Sequence, residues 1–202
     1  MSGLVPPPPR KRYTPEEYFA LEETAEERHE YIDGEILAMA GGTGTHAIII
    51  ANVLAELRNA LRGKPFRPVA SDLRVRYGRK AKYGYTDGLV VCGPLAYDPI
   101  DAKQMTLLNP SLIVEVLSES SERFDRGEKF SYYREIESFR EYVLISQHEA
   151  RIETFLRQDD GTWRFASYVG LDARVPLPSI GVELVARAVY ADVTFPPPEP
   201  DA

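Results

Sequence analysis

The sequence predicts a single α/β domain, and three observations carry that reading. Apolar runs at 84–92 and 111–118 are followed by a helical pattern at 121–136 and another apolar run at 141–145. Strand, helix and strand then succeed one another as in a crossover unit. Short extended segments flank Asp33-Gly34 and Asp159-Asp160-Gly161, which are hairpin signals. No internal repeat or shift in composition across the 202 residues marks a second domain. The expected architecture is a mixed sheet with a helix on each face, extended by an additional hairpin.

The elements follow in order. Residues 1–12, four consecutive prolines and then Arg10-Lys11-Arg12, suit neither a helix nor a central strand and read as a disordered basic arm. Residues 196–202 read as a disordered tail, which leaves 13–195 as the domain. Thr14-Pro15-Glu16-Glu17 supplies a cap, a first-turn proline and an acid at the third helical position, and predicts a short helix ending near Glu23. The loop Gly41-Gly42-Thr43-Gly44 lacks the lysine and spacing of a P-loop. It feeds a helix capped by Thr43 or Thr45, in which Ile50, Val53, Leu54, Leu57 and Leu61 recur at helical spacing until Gly63 and Pro65. Extended runs are predicted at 67–77, 84–92 and 111–118, the last two separated by a loop long enough to be functional or mobile. The second hairpin is expected to extend the same sheet, with Trp163 covering core.

Composition excludes several classes. At 44% apolar and 10% aromatic residues, the chain can bury a sizeable core without staples. The single cysteine, Cys92, excludes an internal disulfide and any zinc site built on cysteine pairs, and it sits where a small hydrophobe would serve. No apolar stretch approaches the roughly 20 residues of a membrane span, and the N-terminus lacks a signal-peptide core. A soluble cytoplasmic protein with no membrane partner is expected. The net charge of −7 argues against a surface coated in phosphate contacts, although 58–82, from Arg58 through Arg74 and Arg76 to Lys82, is basic enough for a local groove.

The lone acids are the most informative residues. A carboxylate buried in a strand covered on both faces costs on the order of several kcal/mol unless it is paired, hydrogen-bonded or bound to a cation. Glu115 lies inside such a run and Asp87 just before another, with Lys129 downstream on the predicted helix. Each has a plainer reading. Asp87 can make a turn with Gly88, and Glu115 can pair with Arg74 or Arg76. Asp125 and Lys129 can form an ordinary ion pair four residues apart, and His46 can be a packed or capping histidine. Ser118, Ser120 and Ser121 lack the glycines of a nucleophile elbow.

Taken in order, His29-Glu30-Tyr31-Ile32-Asp33-Gly34-Glu35-Ile36, Thr45-His46, Tyr85-Thr86-Asp87-Gly88-Leu89-Val90-Val91, Leu112-Ile113-Val114-Glu115-Val116-Leu117-Ser118, Asp125 with Lys129 and Tyr133, and Glu141-Tyr142-Val143-Leu144-Ile145 resemble the Uma-type restriction endonuclease family. That family is a branch of the PD-(D/E)XK nuclease superfamily, and the resemblance spans roughly residues 13–190. It implies a restriction-endonuclease-like mixed sheet between helices. An acid on one strand and an acid-x-lysine on the next then grip a divalent metal beside a scissile phosphate. Here the acids are Asp87 and Glu115. Thr86 stands where a proline commonly precedes the first acid, and Leu117 stands where the lysine is expected. The family's migrated lysine corresponds to Lys129.

The resemblance therefore implies a Mg²⁺- or Mn²⁺-dependent endonuclease that hydrolyses phosphodiester bonds in DNA and acts as a homodimer. Asp87, Glu115 and Glu30 are the expected metal ligands, Lys129 the charge stabiliser, and His46 a supporting residue. Hard oxygen donors suit these ions independently of the resemblance. The alternative is a catalytically inactive nucleic-acid-binding or protein-interaction module on the same fold, which the acidic net charge favours. A small-phosphoester hydrolase is disfavoured because no phosphate-cradling loop is evident.

Overall fold

The computed structural model describes residues 11–39, 41–78 and 80–195. Most of the proline-rich arm, at 1–10, and the tail at 196–202 lie outside the described residues. Helix α1 (Pro15–Glu22) begins on the predicted capping box, with Thr14 Oγ1 accepting from Glu17 N at 3.2 Å and Glu17 Oε2 accepting from Thr14 N at 2.8 Å. Strands β1 (His29–Ile32) and β2 (Glu35–Ala38) pair antiparallel across Asp33-Gly34. Both turn residues have positive φ, 49° and 89°, as a type I′ turn requires, so glycine serves the second position without strain. Helix α2 (Gly44–Ala60) is capped by Thr43, whose hydroxyl accepts from His46 N at 3.1 Å.

The extended run expected at 67–77 is two strands, β3 (Phe66–Ala70) and β4 (Arg74–Tyr77), and they join different sheets. The next run likewise divides into β5 (Lys82–Tyr85) and β6 (Gly88–Cys92). Turns at Asp72 and around Asp87 let the chain leave one layer and enter the other. The single expected sheet is therefore two larger sheets and a ribbon. With β7 (Thr106–Leu107), the five-stranded sheet runs β2-β1-β5-β4-β7. The six-stranded sheet runs β11-β10-β9-β8-β6-β3, built from β8 (Pro110–Leu117), β9 (Glu141–Ser146), β10 (Arg151–Arg157) and β11 (Trp163–Val169). Only β8 and β9 are parallel within it, and they are joined by the predicted crossover. The second hairpin extends this sheet as expected.

Alternation along β8 sorts the core. Leu112, Val114 and Val116 face one side, where they meet Val53 and Leu57 of α2 and the apolar residues of β12 (Arg174–Leu177), β13 (Val182–Val185) and α5 (Ala186–Val189). Ile113 and Leu117 face the other side, against Val75, Tyr77, Tyr133 and Tyr142, where the two large sheets meet. Glu115 has the parity of Ile113 and Leu117, which places a carboxylate on the second face. A third, aromatic cluster of Tyr18, Phe19, Tyr31 and Tyr83 fixes α1 against the five-stranded sheet.

The long loop after β6 is tied down. It contributes β7, parallel to β4, and buried Asp101 and Asp98 pair with Arg74 (2.9 Å) and Arg76 (3.2 Å). Cys92, expected inside an apolar strand, is exposed at the end of β6. Among the described residues no helix is long and apolar enough to cross a membrane.

Candidate functional site

Three backbone devices bring the predicted residues together. The antiparallel register of β6 on β8 matches Gly88 with Val114, so Asp87 at the entrance to β6 arrives beside Glu115. Asp87 N lies 3.3 Å from Glu115 Oε2, while Asp87 Oδ2 accepts from Val116 N at 2.7 Å. The crossover between β8 and β9 is not the continuous α-helix expected at 121–136. It comprises α3 (Glu122–Phe124), a π-helical turn (Asp125–Lys129) and α4 (Phe130–Tyr133). The π turn, a wider coil than an α-helix, holds Asp125 and Lys129 on its buried side, whereas sequence spacing alone suggested a surface pair. The first hairpin delivers Glu30 from β1.

Lys129 is the centre of the cluster. Its ammonium lies 2.9 Å from Glu115, 3.4 Å from Asp125 and 3.7 Å from Glu30, and all four residues are buried. The alternative partners for Glu115, Arg74 and Arg76, are engaged elsewhere. Tyr133 donates its hydroxyl to Glu115 at 2.8 Å, to the same oxygen that Lys129 contacts. His46, at the start of α2, places Nε2 3.2 Å from Asp87 Oδ2. Glu30, His46, Asp87, Glu115, Asp125 and Lys129 line one cavity of about 350 Å³.

Electrostatics set this cluster apart. Burial pushes the Glu115 carboxyl up to about 8, against the opposing pull of Lys129, and burial also raises Glu30. Burial alone would lower Lys129, but Glu115, Asp125 and Glu30 hold its pKa well above the ordinary value, so it stays protonated. Desolvation likewise works against the charged form of His46, and the bond to Asp87 more than reverses it. Carboxylates outnumber cations here, and buried Asp125 Oδ1, which accepts no hydrogen bond among the described residues, has Lys129 Nζ 3.4 Å away as its ion-pair partner.

This donor set of hard, partly uncompensated carboxylate oxygens fits a divalent cation of the Mg²⁺ or Mn²⁺ type. Among the described residues no three His, Cys, Asp or Glu side chains stand in the compact arrangement of a preformed metal site. The acids converge on Lys129 instead. The other expected feature, a basic groove from 58–82, is dispersed, because Arg74, Arg76 and Lys82 are spent on Asp101, Asp98 and Asp33. Arg58, Arg62 and Lys64 line a separate cavity beyond the far end of α2 from His46.

Two contributors escaped the sequence reading. Asp125 appeared there as a partner of Lys129 and within the set that carries the family resemblance, but not among the expected site residues, and its four-residue spacing was the available signal. Tyr77 gave none. Its buried hydroxyl has no hydrogen-bond partner among the described residues, and a Cβ on Gly84 would lie 2.4 Å from that hydroxyl and 2.9 Å from Glu30 Oε1. Gly84 thus keeps open the space in which Glu30 and Tyr77 approach each other.

Two uncharacterized proteins of Synechocystis sp. are 35% identical over 196 residues and 34% identical over 165 residues. The first alignment covers 96% of this chain and all of the relative, and the second covers 82% and 92%. A crystal structure described as "a putative nuclease belonging to DUF820", from Anabaena variabilis, superposes with a TM-score of 0.66 at 18% identity. It covers 83% of this chain and 92% of that one, so the two share a fold. The model of the Uma2 family, described as "Putative restriction endonuclease", matches residues 15–189, and the chain belongs to that family.

Proposed function

We propose that the protein is a Mg²⁺- or Mn²⁺-dependent endonuclease that hydrolyses phosphodiester bonds in DNA. The observation that carries the proposal is the convergence of Glu30, Asp87, Glu115 and Asp125 around Lys129 and His46 in one cavity. Family membership supports nuclease chemistry.

In this reading Asp87 and Glu115 hold the ion, with Glu30 as a third ligand. The chemistry an ion supplies there is polarisation of a phosphoryl oxygen and acidification of water. The protein's own groups do the rest. The protonated Lys129 Nζ offsets negative charge on the phosphoryl oxygens in the transition state. Tyr133 fixes the rotamer of Glu115 through its hydroxyl bond. His46 is held by Asp87, whose bond favours the protonated ring against the cost of burial, so the imidazolium can donate a proton.

The test is a cleavage assay on supercoiled plasmid and on oligonucleotides with Mg²⁺ or Mn²⁺. Wild type should cut, and Lys129→Met should lose about 10²–10³-fold in rate while keeping most of its metal affinity. Wild-type rates indistinguishable from those of Lys129→Met would contradict the assignment. The second reading is an inactive binding module, favoured by the way Lys129 already pairs with Glu115 and Asp125. It predicts DNA binding without cleavage under every metal condition.

A further inference from the structure

The two edges of the six-stranded sheet differ in a way the proposed chemistry does not use. Edge strand β3 carries Pro68 at its centre and Arg67 beside it, and both discourage another strand from adding. Edge strand β11 lacks the proline and holds its one arginine near its start, away from its centre. It is seven residues long, pairs with β10 in unbroken register from Trp163 to Val169, and contains no proline and one charge, Arg164. Its outer row of backbone groups has no strand partner among the described residues. Phe165 and Val169, both on one face of this strand, are 53% and 63% exposed, the highest values among the exposed large hydrophobics.

We propose that β11 is a homodimer interface, in which two copies of this chain pair antiparallel about a two-fold axis at Ala166. The occupant is a second copy because the strand is complementary to itself. Turned about Ala166, Arg164 lies opposite the partner's Tyr168, Phe165 opposite the partner's Ser167, and Trp163 opposite the partner's Val169. No like charges oppose one another, and the single cation faces an aromatic ring. Phe165 becomes the diagonal neighbour of the partner's Phe165, within aromatic reach. The aromatic row already present within the chain, Phe130, Phe155 and Phe165 at 4.8 and 5.1 Å, then continues across the axis. Two six-stranded sheets would become one continuous sheet, with both edge strands of the join removed from solvent.

The experiment uses the full chain. Light scattering should give wild type twice the 22.7 kDa chain mass, and Phe165→Lys/Val169→Lys should give the single mass with an unchanged far-UV circular dichroism spectrum. A conservative variant tests the register. Ala166→Cys in a Cys92→Ser background should form a covalent dimer under mild oxidation, while wild type, whose only thiol is Cys92, should not. A monomeric wild type would overturn the proposal. So would a dimer that persists in the lysine variant while the Ala166→Cys variant fails to cross-link. Neither result depends on cleavage, so the interface and the nuclease reading fail separately.

Discussion

Two buried ion clusters lie within the same fold, and their difference separates structure from chemistry. At Arg74, one guanidinium meets one acid, Asp101, whose Oδ2 also accepts from Thr106 Oγ1 at 2.6 Å and Met105 N at 3.0 Å. Burial would raise the Asp101 pKa, but these bonds to Thr106 and Arg74 hold it below the usual range. Charge and hydrogen bonds balance, and the pair pins the long loop to β4. At Lys129, one ammonium meets Glu115, Asp125 and Glu30, Glu115 is pushed up to about 8, and a buried Asp125 oxygen has no hydrogen-bond partner among the described residues. A balanced pair serves the fold. An excess of buried acid is a standing demand for further positive charge, which is how perturbed carboxylates come to mark functional sites.

Removing the cation from each cluster should expose that difference. Lys129→Met leaves three buried acids around an apolar side chain and should cost about 3–5 kcal/mol near pH 9. The cost should shrink toward pH 6, because Glu115 and Glu30, whose carboxyls burial raises, take up protons. Arg74→Met should cost a similar amount, about 3–5 kcal/mol, but with little change over that range, because Asp101 is held ionised by its other donors. Chemical denaturation at several pH values distinguishes the two, and parallel pH profiles would break the comparison.

Glu141 supplies a control outside both clusters. It is buried, bonded to Ser179 N and Oγ, and pushed by burial up to about 7. Because the folded pKa exceeds the unfolded one, the folded state binds the extra proton, and stability falls as pH rises from about 4.5 through 7. Glu141→Gln should remove that slope and gain on wild type by up to about 3 kcal/mol above pH 8. A pH-independent difference between the two proteins would show that the carboxyl is not held protonated.

Smaller effects probe the geometry. Gly84→Ala should cost about 1–3 kcal/mol, because the new methyl meets the Tyr77 hydroxyl and Glu30. It should also weaken Mn²⁺ binding, whereas a purely steric effect on the fold would leave binding intact. Near pH 6, where the carboxyl that burial raises to about 8 keeps its proton, Glu115→Gln should change stability by no more than about 1 kcal/mol, since the amide keeps its shape.

Much of the fold was legible because it is written in local chemistry. The Thr14 capping box, the Asp33-Gly34 turn, the apolar stripe of α2 and the alternation of β10 and β11 each follow from residues close in sequence. The division of 67–77 and 84–92 between two sheets was not legible, because periodicity shows which face is apolar and not which strand lies beside it. In the site, Asp87 and Glu115 stood out as acids among Val, Ile and Leu. The π turn did not, since nothing in Asp125-Arg126-Gly127-Glu128-Lys129 distinguishes a buried turn from an exposed one. Its direction is decided by aromatic packing of Phe130, Tyr133 and Tyr142.

The proposed divalent-cation site rests on the acids around Lys129. Calorimetric titration of Mn²⁺ into wild type, Glu115→Gln and Asp101→Asn tests it without any assumption about substrate. Saturable binding is expected in wild type and Asp101→Asn, and its loss in Glu115→Gln. Equal heats in all three proteins, or binding lost with Asp101 rather than Glu115, would contradict it.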